Sequence, residues 1–230
     1  MSGGEQMEEL GGRRVLVYVG GSIAAIKAGD VITLLRGRGA ETRVAMTPSA
    51  TRFVTPLTLQ SLSGHPVVTD LFQVSGGRWP GGRPALAAEG PGEGHGMEHL
   101  SLSAWAEIQV AVAVSANLLA RLALGLADDA VTATALACRA PFVIAPAMET
   151  LMWEHPATQE HVETLRGRGA AIVGPVSGRL ASGREAMGRM AEPAAIVDMV
   201  TALLGGRGPS VSGLGSSPSG LLGPSDAGSR

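Results

Sequence analysis

Apolar residues along this chain fall in short unbroken runs that alternate with helically spaced ones. Val15 to Val19 is such a run and predicts a first strand. From Ser22 to Arg38, the residues Ile23, Ile26, Ala28, Val31, Leu34 and Leu35 follow helical spacing, and Gly39 closes the pattern. Thr42 to Met46 predicts a second strand, Thr47 to Ser63 a polar turn and then a helix, and Val67-Val68 a short strand. Leu100 to Ala106 predicts a short helix or turn, and Ile108 to Val114 a buried strand. Helices are predicted at Asn117 to Leu126, Ala130 to Ala137, Pro156 to Arg168 (stopped by Gly169) and Ala194 to Leu204. Phe142 to Ala145 is a further strand and Ala171 to Val173 the last one. Fully apolar strands alternating with helices imply an α/β fold with a mainly parallel sheet and helices on both faces. Ligands in such folds sit outside the carboxyl ends of the strands.

Residues 1–12 read as a flexible leader, 13–204 as a single domain, and 205–230 as a disordered Gly/Ser/Pro-rich tail. Within the domain, residues 73–97 are rich in Gly, Pro and Arg without periodicity and read as a long flexible loop. The 230 residues and 45% hydrophobic content suit one substantial core. Aromatic residues make up only 3% while glycines number 33, so alanine, valine and leucine must build that core. A net charge of −2 gives no reason to expect nucleic acid or an anionic membrane as partner. The single cysteine, Cys138, excludes an internal disulfide framework and agrees with a cytoplasmic setting. It lies in an apolar helix pattern and reads as an inert core thiol. No apolar run approaches the length of a membrane span.

Four segments fall at predicted strand ends. Gly20-Gly21-Ser22-Ile23 joins the first strand to the first helix. Its small residues let backbone N–H groups approach a phosphate, with the Ser22 hydroxyl adding a hydrogen bond; the competing reading is that Ser22 simply caps the helix. Thr47-Pro48-Ser49 offers hydroxyls on the same side, or is a plain turn. Asn117, beside Ser115, caps a helix or aims its amide at a planar ring. Pro146-Ala147-Met148-Glu149-Thr150-Leu151-Met152-Trp153 leaves the strand that ends at Ala145. Elsewhere, His99 follows the glycine-rich loop and is either structural or an active-site base. The other histidines, His65, His95, His155 and His161, lack ligand spacing, so no metal is expected. Ser182, in Leu180-Ala181-Ser182-Gly183, lies in a surface loop or a clamp over a ligand.

Together these segments resemble the homo-oligomeric flavin-containing cysteine decarboxylases, a family that includes phosphopantothenoylcysteine decarboxylase and the peptidyl-cysteine decarboxylases of ribosomal peptides. The resemblance runs from about Arg14 to Leu204. It is carried by Gly21 to Lys27, Met46 to Val54, Ser115-Ala116-Asn117, and Pro146-Ala147-Met148 with Met152-Trp153; the last two match the PASANT and P-x-M-N-x-x-M-W signatures in part. It implies a Rossmann/flavodoxin-like three-layer sandwich that binds FMN. Gly21, Ser22, Ile23, Thr47 and Ser49, with Phe53 in the same block, would hold the phosphate side of FMN. Ser115, Ala116, Asn117, Leu118, Ala147 and Met148 would meet its ring and ribityl chain. His99 matches the active-site histidine, and Glu149, Met152 and Ser182 fall at substrate-binding positions. The assembly it implies is a homotrimer or a dodecamer of trimers.

The chain departs from that family in three places. The proline and last threonine of PASANT are absent, since the block reads Ala113-Val114-Ser115-Ala116-Asn117-Leu118. Glu149 replaces the signature asparagine, and Ser182 replaces the clamp cysteine. In this family, oxidation of the substrate cysteine to a thioaldehyde makes its carboxylate labile, and loss of CO₂ leaves an enethiol. Coenzyme A biosynthesis then needs a reduction in which the clamp cysteine takes part. Ser182 therefore favours an enzyme that stops at the enethiol, acting on a precursor peptide with a C-terminal Cys. The alternatives are phosphopantothenoylcysteine decarboxylase and a non-catalytic FMN-binding regulatory subunit.

Overall fold

The apolar runs assemble into a six-stranded sheet in which every neighbouring pair is parallel. A computed structural model describes residues 9–72 and 98–205. The glycine-rich loop, most of the leader and nearly all of the tail expected from the sequence lie outside the described residues. In chain order the strands are β1 (Arg14–Val19), β2 (Glu41–Met46), β3 (Val67–Val68), β4 (Ile108–Val114), β5 (Phe142–Pro146) and β6 (Ala171–Ile172). The helices are α1 (Ala28–Gly37), α2 (Pro56–Ser63), α3 (Glu98–Trp105), α4 (Ala116–Leu124), α5 (Ala130–Ala137), α6 (Thr150–Trp153), α7 (Pro156–Gly167) and α8 (Pro193–Leu204).

Successive side chains of a strand point to opposite faces, so a continuously apolar strand buries both. In β1, Val15, Val17 and Val19 join a core with Val31, Ile32 and Leu35 of α1 and Ile196, Val197 and Val200 of α8. Leu16 and Tyr18 point the other way, toward Leu102, Leu118, Leu119, Val162 and Leu165 of α3, α4 and α7. The result is a three-layer sandwich.

Strand order is β3-β2-β1-β4-β5-β6. The chain winds outward from β1 to β3 and then returns to β4 on the other side of β1. The connections after β1 and β4 therefore diverge, and a crevice opens between them at the carboxyl ends. Below it lies one buried polar pair. The Tyr18 hydroxyl donates to Gln109 Oε1 at 2.9 Å, and Gln109 Nε2 donates to the Ala140 carbonyl at 2.9 Å. Phe142 packs edge-on against the Tyr18 ring at 5.9 Å.

Several expectations are corrected. Leu10 is fully buried and its N–H donates to the Arg38 carbonyl at 2.9 Å, so the packed part of the chain starts before residue 13. The first helix begins as a 3-10 turn, Ile23–Lys27, before α1. The helix after β4 is capped by Ser115, whose hydroxyl accepts the Leu118 N–H at 3.3 Å, and not by Asn117. β6 is followed by an antiparallel hairpin of β7 (Val176–Arg179) and β8 (Glu185–Arg189), where a loop was expected. Most of its residues are exposed, so it carries no apolar alternation to announce a strand. Cys138 is half-buried at the end of α5, where its thiol donates to the Ser103 carbonyl at 3.4 Å and burial raises its pKa.

Candidate functional site

The crevice above β1, β2 and β4 is lined by Gly21, by Thr47, Pro48 and Ser49, and by Ser115, Asn117 and Leu118. Residues singled out from three separate stretches of the sequence thus meet there. Two glycines make the approach possible. A Cβ on Gly21 would fall 2.3 Å from Ser49 Cβ, so the loops after β1 and β2 touch through a gap only glycine leaves. A Cβ on Gly20 would fall 2.4 Å from the Ala113 carbonyl oxygen, which brings the same loop against the end of β4.

Ser22 decides between the two readings of this loop. It stands at the N-cap with extended backbone, yet its side chain makes no capping bond. Its Oγ is buried and has no hydrogen-bond partner among the described residues. A buried unpaired hydroxyl costs about 1–3 kcal/mol, which a capping role would have avoided. The geometry is that of a donor awaiting an acceptor. Thr47 is otherwise engaged: its buried hydroxyl oxygen accepts the Ala50 N–H at 3.2 Å and ties back to the Val19 carbonyl at 3.4 Å. Ser49 is exposed and its side chain makes no hydrogen bond among the described residues, so its hydroxyl is free toward the crevice.

The far wall holds three residues that the sequence reading passed over. Arg121 of α4 pairs with Asp128, and with Asp129 at 2.8 Å. Asp129 also caps α5, accepting the Thr132 N–H at 2.9 Å in a reciprocal capping box. Burial works against the Arg121 charge, but its hydrogen bonds to Asp128 and Asp129 hold the guanidinium above its ordinary pKa. The Asp-x-x-Thr spacing was the available signal.

The end of β4 is irregular. The β4–β5 register shifts between Ala111 and Val114, and Ala113 has φ 55°, the one positive φ outside glycine among the described residues. This left-handed conformation costs about 1–2 kcal/mol for a residue with a Cβ. The Ala113 N–H, turned out of the ladder, donates to Met190 Sδ at 3.3 Å.

The other predicted residues are not among those that line the crevice. Ile23 and Phe53 are exposed, Ala116 is half-buried, and the buried Ala147 donates its N–H to the Val114 carbonyl at 2.9 Å. Met148 binds the hairpin: its N–H donates to the Gly188 carbonyl at 3.0 Å, and the Thr150 hydroxyl donates to the Met187 carbonyl at 2.5 Å. Gly188, at φ 139°, sits so close that a Cβ there would be 2.2 Å from the Met148 carbonyl oxygen. Glu149 stands between these two bonds, half-buried, its carboxyl without a partner among the described residues. Met152 is exposed on α6, and Ser182 is exposed in the turn of the hairpin. His99, in the first turn of α3, has a buried Nδ1 without a partner among the described residues and does not line the crevice. No helix among the described residues is long and apolar enough to cross a membrane.

A wholly parallel sheet, a crevice at its switch point, a glycine-built close approach and an unpaired buried hydroxyl form a site with the chemistry to hold an anionic group. The Flavoprotein family profile matches residues 4–205, and the chain belongs to that family. The coenzyme A biosynthesis bifunctional protein CoaBC of Escherichia coli (strain K12) is 40% identical over 193 residues, covering 84% of this chain and 43% of that protein. The chain thus spans less than half the length of this curated relative. Among solved structures, a cysteine-to-serine mutant of PPC decarboxylase complexed with pantothenoylaminoethenethiol superimposes with a TM-score of 0.69 at 32% identity, over 84% of this chain and 99% of that one. The FMN-dependent cysteine decarboxylase SpaF gives a TM-score of 0.62 at 33% identity, over 81% and 96%. These likenesses bear out the α/β fold.

Proposed function

We propose that this chain is an FMN-dependent cysteine decarboxylase whose substrate is phosphopantothenoylcysteine. The buried, unpaired Ser22 hydroxyl beside Gly20-Gly21, in a member of the Flavoprotein family, carries the cofactor reading. The substrate reading rests on the 40% identity to CoaBC across most of the chain. That relationship outweighs the expectation drawn from Ser182 alone, and the peptide substrate becomes the second reading.

The residues present fit FMN. Ser22 would donate to its phosphate, and Gly20 and Gly21 allow the backbone to reach it. The Ser115 oxygen is occupied as a cap, which leaves its hydroxyl proton for the cofactor, while Asn117 lines the crevice from the same helical turn. When bound, FMN supplies a two-electron acceptor next to the substrate's sulfur-bearing carbon. Oxidation of the C–S bond to C=S places an electron sink β to the carboxylate. CO₂ leaves, and protonation at sulfur gives the aminoethenethiol, a net loss of CO₂ and two hydrogens.

The crevice of one chain encloses about 190 Å³, less than the roughly 300–1,000 Å³ of an ordinary ligand pocket, and His99 stands outside it. Both features support a homotrimer in which a second copy brings its His99 to the flavin as base or orienting donor. An ionised Glu149 would repel the substrate carboxylate by several kcal/mol once desolvated; protonated, it would donate to that carboxylate from the end of β5. The Ser182 hydroxyl lacks the redox chemistry of a thiol, so the reaction would end at the enethiol, and an external two-electron oxidant such as dioxygen would have to take up the two electrons before another cycle.

The test is mass spectrometry of the holoenzyme with phosphopantothenoylcysteine and with a cysteine-ended peptide. Loss of CO₂ plus two hydrogens from the former is expected. Turnover of the peptide alone would restore the other substrate reading, and loss of CO₂ alone would overturn the role given to Ser182.

A further inference from the structure

Ala113 stands where the resembled family carries proline, and it has two properties that proline lacks: a positive φ of 55° and an N–H, donated to Met190 Sδ at 3.3 Å. Both partners are deeply buried. Met190 directly follows β8, two residues after the Gly188 carbonyl that accepts the Met148 N–H. The Ala113 carbonyl, for its part, packs against Gly20 at the start of the Ser22 loop. Ala113 therefore meets the residue that follows the hairpin and the loop that carries Ser22, and it lies two residues before Ser115, where the Ser115-Ala116-Asn117 turn begins.

A thioether is a weak acceptor, so the strength of this bond is not what matters. At the bulge the Ala113 N–H leaves the sheet ladder, and without Met190 it would be a buried donor with nothing to bind. We propose that Met190 is a positioning residue for the cofactor site: by accepting this N–H it holds Ala113 left-handed and so aims the Ser115–Asn117 turn into the crevice. This rests on the reading that the crevice holds FMN.

Flavin-free wild type, M190L, M190L/A113G and A113P are compared by two measurements: FMN affinity from fluorescence quenching, and hydrogen exchange of amides 113–117. M190L should raise the Kd about fivefold and speed exchange at Ala113 by a similar factor, because the left-handed conformation loses its support. Adding A113G should restore both to within about twofold, since glycine takes positive φ without penalty. A113P reinstates the family residue yet should weaken FMN binding by about tenfold or more, because its ring fixes φ near −65°. Unchanged exchange in M190L, no rescue by A113G, or wild-type affinity in A113P would each overturn the proposal. Wild type that binds no FMN would overturn the cofactor reading instead, and the exchange data would still decide the role of Met190. Rescue and proline substitution are independent, so misfolding of one variant leaves the other to decide.

Discussion

Replacing Ser22 with alanine should have opposite effects on the flavin-free and flavin-bound protein. Ser22 Oγ is buried without a partner among the described residues, a state that costs about 1–3 kcal/mol. Removing it should stabilise the flavin-free protein by about 1 kcal/mol or more. For a chain of this size that is a rise in Tm of roughly 2–4 °C per kcal/mol. An ordinary N-cap serine gives the reverse, a loss of about 0.5–2 kcal/mol on truncation. With FMN bound, the variant forfeits a hydrogen bond to a charged phosphate, worth about 1.5–3 kcal/mol. At about 1.4 kcal/mol per decade, the Kd should rise roughly 10- to 150-fold. Differential scanning calorimetry with and without FMN, together with a fluorescence titration, measures both arms. A flavin-free S22A that melts lower than wild type would show Ser22 to be a cap, and an unchanged FMN affinity would remove it from the phosphate site.

Gly21→Ala places a Cβ 2.3 Å from Ser49 Cβ; the protein should purify colourless with an unchanged far-ultraviolet dichroism spectrum, and retained flavin absorbance would refute the close-approach argument. Glu149→Gln should keep activity if the protonated carboxyl is the working form, and complete loss with FMN still bound would reject that role. Ser182→Cys should shift the product from loss of CO₂ plus two hydrogens toward loss of CO₂ alone, read by mass spectrometry. Glu107, which accepts the Arg14 N–H and pairs with Arg13, has its pKa lowered chiefly by that backbone bond and then by the Arg13 side chain. Its contribution to stability is complete above the unfolded carboxylate value of about 4.3 and disappears as pH falls through the lower folded value. Glu107→Gln should therefore lower Tm at about pH 7 and change it much less at about pH 3; equal losses at both would contradict the sign.

The central strands were legible because Val15–Val19 and Ile108–Val114 are apolar apart from Tyr18 and Gln109, as strands covered on both faces are. The place of the crevice followed, since a parallel sheet puts its ligand loops at the carboxyl ends. The β7–β8 hairpin was hidden because its residues are largely solvated and bury no stripe. The conformation of Ala113 left no trace, since alanine carries no turn signal and the bend is set by Gly20 and Met190, distant in sequence. Arg121, Asp128 and Asp129 were missed because charges on a helix and its following turn look the same whether they face water or a crevice. Ser182 alone favours a peptide substrate, whereas the 40% identity to CoaBC runs across most of the chain, so one altered side chain and the overall pattern point to different substrates.

The Tyr18–Gln109 pair has a bearing on how reliably this architecture forms. Parallel strands of valine and alanine are chemically monotonous, and sliding β4 along β1 would exchange one aliphatic neighbour for another. A phenol and an amide locked together in that interior make misalignment expensive, because any slip strands both without water. The two loops at the mouth of the crevice thus emerge side by side, held in step by a latch beneath them.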